Sequence, residues 1–261
     1  MSDLAVLTEQ ADGIFTITLN RPEKKNAITS EMYTLMHQGL ETAAQDEAVR
    51  VVLLKGNGGV FTAGNDLKDF ANWLQFEGRL EELPVLKLIR SVIHFPKPLV
   101  VAVQEYAVGL GTTILPHCDV VIAGKSTKFS LPFVQLGAVP EFGSSFLLPL
   151  FAGRLRASHV LMLGEPFDVN RAQELGLVSE VVADDQVIAT AQERARQLVN
   201  LPAATLRKVK ALINHPEYIA QLEKRVEEET RLFYESLKSP EHQEAVQAFF
   251  EKRPPDFRKF K

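Results

Sequence analysis

The stretch Phe61-Thr-Ala-Gly-Asn-Asp-Leu67 decides the fold when it is read with a second stretch further along, Ala107-Val-Gly-Leu-Gly-Thr112. Each follows an apolar, largely β-branched run, Val51-Val-Leu-Leu54 in one case and Leu99-Val-Val-Ala-Val103 in the other. Such runs are what strands buried on both faces look like. Each stretch has glycine where the backbone leaves the strand. Glycine permits a sharp bend and a close approach by a ligand. Two such turns at the ends of two strands can aim two peptide N–H groups at one point, which is what a developing oxyanion needs.

Outward from these turns, the first half of the chain alternates strand-like and helix-like segments. Residues 14–19 alternate apolar and polar, as a half-buried strand does. Residues 30–44 carry Met32, Leu35, Met36 and Leu40 at helical spacing, with Thr29 or Ser30 as the cap. Short apolar runs at 51–55, 99–103, 120–123 and 177–182 are further predicted strands. The alternation predicts an α/β fold with crossover connections, and by itself it fits a doubly wound sheet or a spiral. After Asp184 the pattern is helical, over 187–198, 203–213, 219–237 and 240–250. We therefore divide the chain into a core, 1–183, and a helical C-terminal region, 184–261. Residues 70–86, rich in Glu, Gln and Leu with Trp73 near the start, read either as a surface helix packed on the core or as a wall of a ligand pocket.

The bulk numbers bound the function. With 261 residues, 46% of them hydrophobic, the chain can bury a sizeable core. The net charge of −4, with both signs interspersed, gives no basic face for nucleic acid and no polybasic membrane patch. No apolar run approaches the ~20 residues of a membrane span. The start, Met1-Ser-Asp-Leu-Ala5, is not a signal peptide, and the end, Phe260-Lys261, is not a Ser-Lys-Leu peroxisomal address. Cys118 is the single cysteine and fits a reducing compartment, so the expected location is cytoplasmic. The six histidines are scattered. His117 beside Cys118 is the nearest thing to a metal motif, but adjacent residues point apart on a helix and no further ligands follow, so no metal is expected.

The two glycine turns, in this order, resemble the crotonase, or enoyl-CoA hydratase/isomerase, superfamily. Ile17-Thr-Leu-Asn-Arg-Pro-Glu-Lys-Lys-Asn-Ala27, residues 106–119, 129–145 and 167–182, and the tail Ala248-Phe-Phe-Glu-Lys-Arg253 extend the resemblance over nearly the whole chain. It implies an α/β spiral of ββα turns with a C-terminal α-helical region that covers the active site. It also implies a homotrimer or a dimer of trimers. The substrate would be an acyl-CoA of fatty acid metabolism, with no metal or redox cofactor. The oxyanion-hole N–H groups would belong to Asn65 and Leu110. Ala63, Gly64, Asp66, Leu67 and Gly109 would line the CoA site, and Lys24, Phe133, Phe250 and Lys252 would add contacts. Arg21 and Lys25 lie where relatives meet the CoA phosphates. Phe249, Phe250 and Lys252 lie where a neighbouring subunit can close the pocket. Asp66 would oppose a nearby enolate, so it is read as holding its turn rather than as a base.

The glutamates carry the finer reading. Hydratases of this superfamily hold water between two glutamates, and those places are Thr113 and Phe133 here. A different carboxylate stands in Pro140-Glu141-Phe-Gly-Ser-Ser145, a pattern resembling the peroxisomal-type Δ3-Δ2-enoyl-CoA isomerases, in which this glutamate is the single base. Its apolar neighbours Val139, Phe142 and Phe146 would raise its pKa. The plainer alternative makes Glu141 a helix N-terminal residue stabilised by the macrodipole. At the level of activity, another acyl-CoA reaction (hydration or hydrolysis) and a non-catalytic acyl-CoA-binding relative stand as rivals.

Overall fold

The computed structural model describes residues 4–66, 68–69, 73, 76 and 78–260. In chain order the strands are β1 (Val6–Ala11), β2 (Ile14–Leu19), β3 (Val51–Gly56), β4 (Leu99–Val103), β5 (Tyr106–Val108), β6 (Val120–Gly124), β7 (Lys128–Ser130), β8 (Phe167–Asp168) and β9 (Glu180–Val182). Six form one sheet in the order β1-β2-β3-β4-β6-β9, antiparallel only at the first hairpin. The other three form a second sheet in the order β5-β7-β8.

The apolar runs become strands because both faces of the main sheet are covered. Val52 and Leu54 of β3 face the larger core with Met32, Met36 and Leu40 of α1 (Ser30–Gln45) and Leu88 of α2 (Pro84–Ile93). Their neighbours Val51 and Leu53 face the other way, with Val100, Ala102 and Ile122. That second face is closed by Val187, Ala191 and Ala195. The period-2 alternation of side chains sorts one apolar run into two cores.

Between these helices and the tail lie α3 (Leu110–Thr113), α4 (Ser144–Ala152), α5 (Arg154–Leu163) and α6 (Val169–Glu174). The tail is α7 (Val187–Val199), α8 (Ala203–Ile213), α9 (Pro216–Ser236) and α10 (Pro240–Glu251). Thr29 caps α1 by accepting from the Met32 N–H at 3.3 Å. Helix α9 starts three positions before the apolar periodicity does, because the His215 ring accepts from the Tyr218 N–H at 3.3 Å and Pro216 occupies the first turn.

One expectation changes, and one strand was not foreseen. The apolar run at 177–182 yields a strand only from Glu180, since Leu177 N–H closes α6 onto Ala172 O at 2.9 Å, after Gly176 at φ +74°. Strand β1 was hidden by its composition: only Val6 is buried along this edge. In the segment 70–86, Trp73 is buried and its Nε1–H donates to Ser30 Oγ at 3.2 Å; residues 70–72, 74, 75 and 77 lie outside the described residues.

Candidate active site

The two glycine turns lie against each other. Thr62 O accepts from the Val108 N–H at 3.2 Å, joining the first turn to β5. Gly64 has φ +85° and Gly109 φ +53°. A Cβ placed on Gly64 would sit 2.5 Å from Val108 O, so only glycine allows this approach. Past each glycine one backbone donor is left over. Ile28 pairs with Gly64 O and with the Asp66 N–H, which leaves the Asn65 N–H between them without an acceptor among the described residues. Gly109 N–H goes to Ser130 O at 2.9 Å, and the next N–H, of Leu110 at the start of α3, is likewise unused.

A cavity of about 560 Å³ opens beside these turns. It is lined by Lys24, Ala63, Gly64, Asn65, Asp66, Gly109, Phe133 and Phe250 among the expected residues, with Lys68, Phe233 and Phe249 in addition. A largely apolar cleft with a few convergent polar groups is what a ligand site requires. The Asp66 carboxylate is engaged by its neighbours: Oδ1 accepts from the Lys68 N–H at 3.2 Å and Oδ2 pairs with Arg21 at 3.3 Å.

Glu141 lies behind this cavity rather than in its wall. It lines a small space of about 30 Å³ with Trp73, Phe142 and Tyr234. Phe233 borders both spaces. Asn65 connects them, since it lines the large cavity and its amide acts on the Glu141 carboxyl to lower its pKa. The Asn65 Oδ1 in turn accepts from the hydroxyl of Tyr33, a fully buried residue of α1. Glu141 is 7% exposed, and its Oε1 has no hydrogen-bond partner. Burial pushes its pKa up to about 8; the like charge of Glu229 adds to the rise, and the Asn65 amide opposes it. A buried carboxyl with a free oxygen and a pKa near the working pH can take up and return a proton.

The macrodipole alternative for Glu141 fails on geometry. Helix α4 begins at Ser144, and its N-terminal donors are taken by Glu229 of α9, which accepts from the Gly143 N–H at 2.6 Å and the Ser145 N–H at 2.8 Å.

Other expected residues fall elsewhere. Lys252 and the Leu110 side chain do not line the cavity, and Leu67 lies outside the described residues. Arg21 is committed to Asp66 and to Ala27 O at 2.6 Å, and Lys25 sits 4.4 Å over the Tyr106 ring; neither is free to meet a phosphate in this arrangement. Phe249 and Phe250 reach the cavity of their own chain. Among the described residues no cluster of three or more His, Cys, Asp or Glu side chains could hold a metal. His117 stacks on Phe142 with ring centroids 4.2 Å apart, and its Nε2 bonds Phe142 O at 2.8 Å. Tyr33, Lys68 and Glu229 were missed. Nothing local marks Tyr33 and Glu229, whose partners lie 32 and 86 positions away; Lys68 stands directly after the first glycine stretch.

Residues 9–260 match the model of the enoyl-CoA hydratase/isomerase family. The chain belongs to this family. It is 34% identical over 258 residues to 1,2-epoxyphenylacetyl-CoA isomerase of Escherichia coli, covering 97% of each chain. It is 32% identical to 2,3-dehydroadipyl-CoA hydratase of the same organism, covering 99% of each. Enoyl-CoA delta isomerase 2 of Rattus norvegicus is 34% identical over 218 residues, 81% of this chain and 55% of that one. Among solved structures, the enoyl-CoA hydratase/isomerase of Pseudoalteromonas atlantica T6c superposes with a TM-score of 0.91 at 37% identity, covering 97% of this chain and 100% of the other. The crotonase fold of the family is thus the fold of this chain, and family membership makes it an enzyme of acyl-CoA chemistry. Among the described residues no helix is long and apolar enough to cross a membrane.

Proposed function

We propose that the protein is a Δ3-Δ2-enoyl-CoA isomerase with Glu141 as its single base. The Glu141 carboxylate removes a proton from C2 of a 3-enoyl-CoA. The C–H electrons move into a dienolate, with negative charge on the thioester oxygen. The protonated carboxyl then returns the proton at C4, leaving the double bond between C2 and C3. No water is added, so one carboxyl serves both steps. In this reading the N–H groups of Asn65 and Leu110 hold the enolate oxygen, each worth about 3 kcal/mol in the transition state. CoA is the handle of the substrate, Lys24 and Lys68 stand at the cavity with their positive charges, and the reaction needs no further cofactor.

One observation carries this reading. The catalytic-pair positions of a hydratase hold Thr113 and Phe133, while the buried Glu141 has an unpartnered oxygen. Rates of 3-enoyl-CoA isomerisation, 2-enoyl-CoA hydration and acyl-CoA hydrolysis, measured on wild type and Glu141→Gln, test it. Isomerisation should dominate in the wild type and fall on the order of 10²–10⁴-fold in the variant. Undiminished isomerisation by Glu141→Gln, or hydration as the fastest reaction, would reject it.

A further inference from the structure

Glu229 is buried, 4% exposed, on a helix remote in sequence from the catalytic turn, and the proposed reaction gives it no task. Its two oxygens accept the Gly143 and Ser145 N–H groups, at 2.6 and 2.8 Å. These donors lie immediately after Glu141. The turn they belong to is strained: Phe142 has φ +59°, a left-handed conformation that an aromatic residue seldom adopts, followed by Gly143 at φ +72°. Such a turn persists only where its surroundings hold it. Two groups do so. His117 bonds the Phe142 carbonyl and stacks on the Phe142 ring, and Glu229 takes the N–H groups that follow. The turn closes on itself through Ser144, whose hydroxyl donates to Glu141 O at 2.7 Å.

We infer that Glu229 is a positioning residue for the reaction: its carboxylate fixes the strained turn that presents the Glu141 side chain to Asn65, and its charge faces that side chain. The inference rests on Glu141 being the base. Among the described residues the charged and titratable groups around the pair are Arg225 and Tyr234 on the helix of Glu229, Tyr33 of α1 behind Asn65, and His117 beside Phe142. Burial holds His117 neutral, with a pKa of about 4, so it brings no charge to the turn. Glu229 is itself raised by burial to about 7, against the pull of its hydrogen bonds and of Arg225. As pH rises, Glu229 gains charge and makes Glu141 harder to ionise, hence a stronger base once ionised.

The test compares wild type with Glu229→Gln and Glu229→Asp. Glutamine keeps the shape but turns an amide NH₂ toward a backbone N–H. Aspartate keeps the charge but ends one methylene short of the donors. Turnover is measured with the most active CoA thioester, and glutamate carboxyl titrations are followed by ¹³C NMR, with Glu141→Gln supplying the assignment. Both Glu229 variants should lose kcat on the order of 10–10²-fold with KM nearly unchanged, since small misplacements of a catalytic group carry such losses. The Glu141 titration midpoint should move to lower pH in Glu229→Gln. A wild-type kcat in the aspartate variant, or a Glu141 titration that the glutamine variant leaves unmoved, would overturn the inference. If no 3-enoyl-CoA is isomerised, the proposed function fails, while the titration still decides whether Glu229 acts on Glu141.

Discussion

Gly64 and Val108 belong to different strand ends, yet a methyl group on Gly64 would lie 2.5 Å from the Val108 carbonyl oxygen. The two turns that leave N–H groups over are therefore held at backbone contact, and glycine is the condition for it. Gly64→Ala should push them apart, besides forcing alanine to φ +85°. The expected cost is about 1–3 kcal/mol of stability and a loss of kcat well beyond what that instability explains. Gly109→Ala is the matched control, since a Cβ there meets nothing within 4 Å and pays only for φ +53°. Thermal melts and steady-state kinetics on both variants check the difference; equal kcat values would show that turn contact is not what matters.

The raised pKa of Glu141 links activity and stability in opposite directions. The base works ionised, so kcat/KM should rise with pH through about 8. The unfolded chain would hold the same carboxyl near the ordinary glutamate value of about 4.3. Between those values the native state binds a proton that the unfolded state releases. The stabilisation from this group is thus complete below about pH 4 and lost as pH rises through about 8. Glu141→Gln, nearly inactive, should be more stable than wild type by on the order of a few kcal/mol at alkaline pH, and the gap should close in acid. Denaturant melts across the pH range measure it, and a variant less stable than wild type at about pH 9 would contradict burial as the source of the raised pKa.

Hydration of 2-enoyl-CoA should be at least about 10²-fold slower than isomerisation, because Thr113 and Phe133 stand in the two places that would hold a water between carboxylates. The Thr113 hydroxyl donates to Leu110 O at 3.4 Å, and Phe133 is buried in the cavity wall. Direct comparison of the two rates on one enzyme preparation decides this.

The fold was legible where burial is written into composition. Val51, Val52, Leu53 and Leu54 could only be a strand covered on both sides, and both cores are found there. Turn chemistry was legible as well: Gly64 and Gly109 stand at positive φ where the backbone had to bend. The buried setting of Glu141 was legible because its apolar neighbours Phe142 and Val139 are adjacent in sequence. What lay hidden depends on long-range pairing. Tyr33 reads as one more apolar position of α1 until its hydroxyl meets Asn65. Glu229 reads as one of several glutamates on a charged helix until the fold lays it across the N-terminus of α4. Arg21 reads as a free cation until Asp66 takes it.

The last expectation concerns assembly. The tail divides its apolar residues. Leu222 and Phe233 turn inward and are buried, whereas Leu212, at 77% exposure, and Ile213, Phe249 and Phe250 face outward. Leu155, 82% exposed, and Met162 on α5 add to the uncovered surface. Apolar exposure on this scale is costly for a monomer, and a second copy of the chain is the partner the family resemblance supplies. We expect a homotrimer or a dimer of trimers. Leu155→Lys or Leu212→Lys should weaken it without touching the core, since both side chains stand in solvent. Removing residues after Pro240 should act differently. It deletes α10, whose His242 bonds Leu136 O at 2.7 Å and whose Phe249 and Phe250 wall the cavity, so activity and solubility should fall together. Light scattering at micromolar concentration reads the assembly. A monodisperse 29.1 kDa monomer with full activity would show that the exposed residues serve no self-association that catalysis requires.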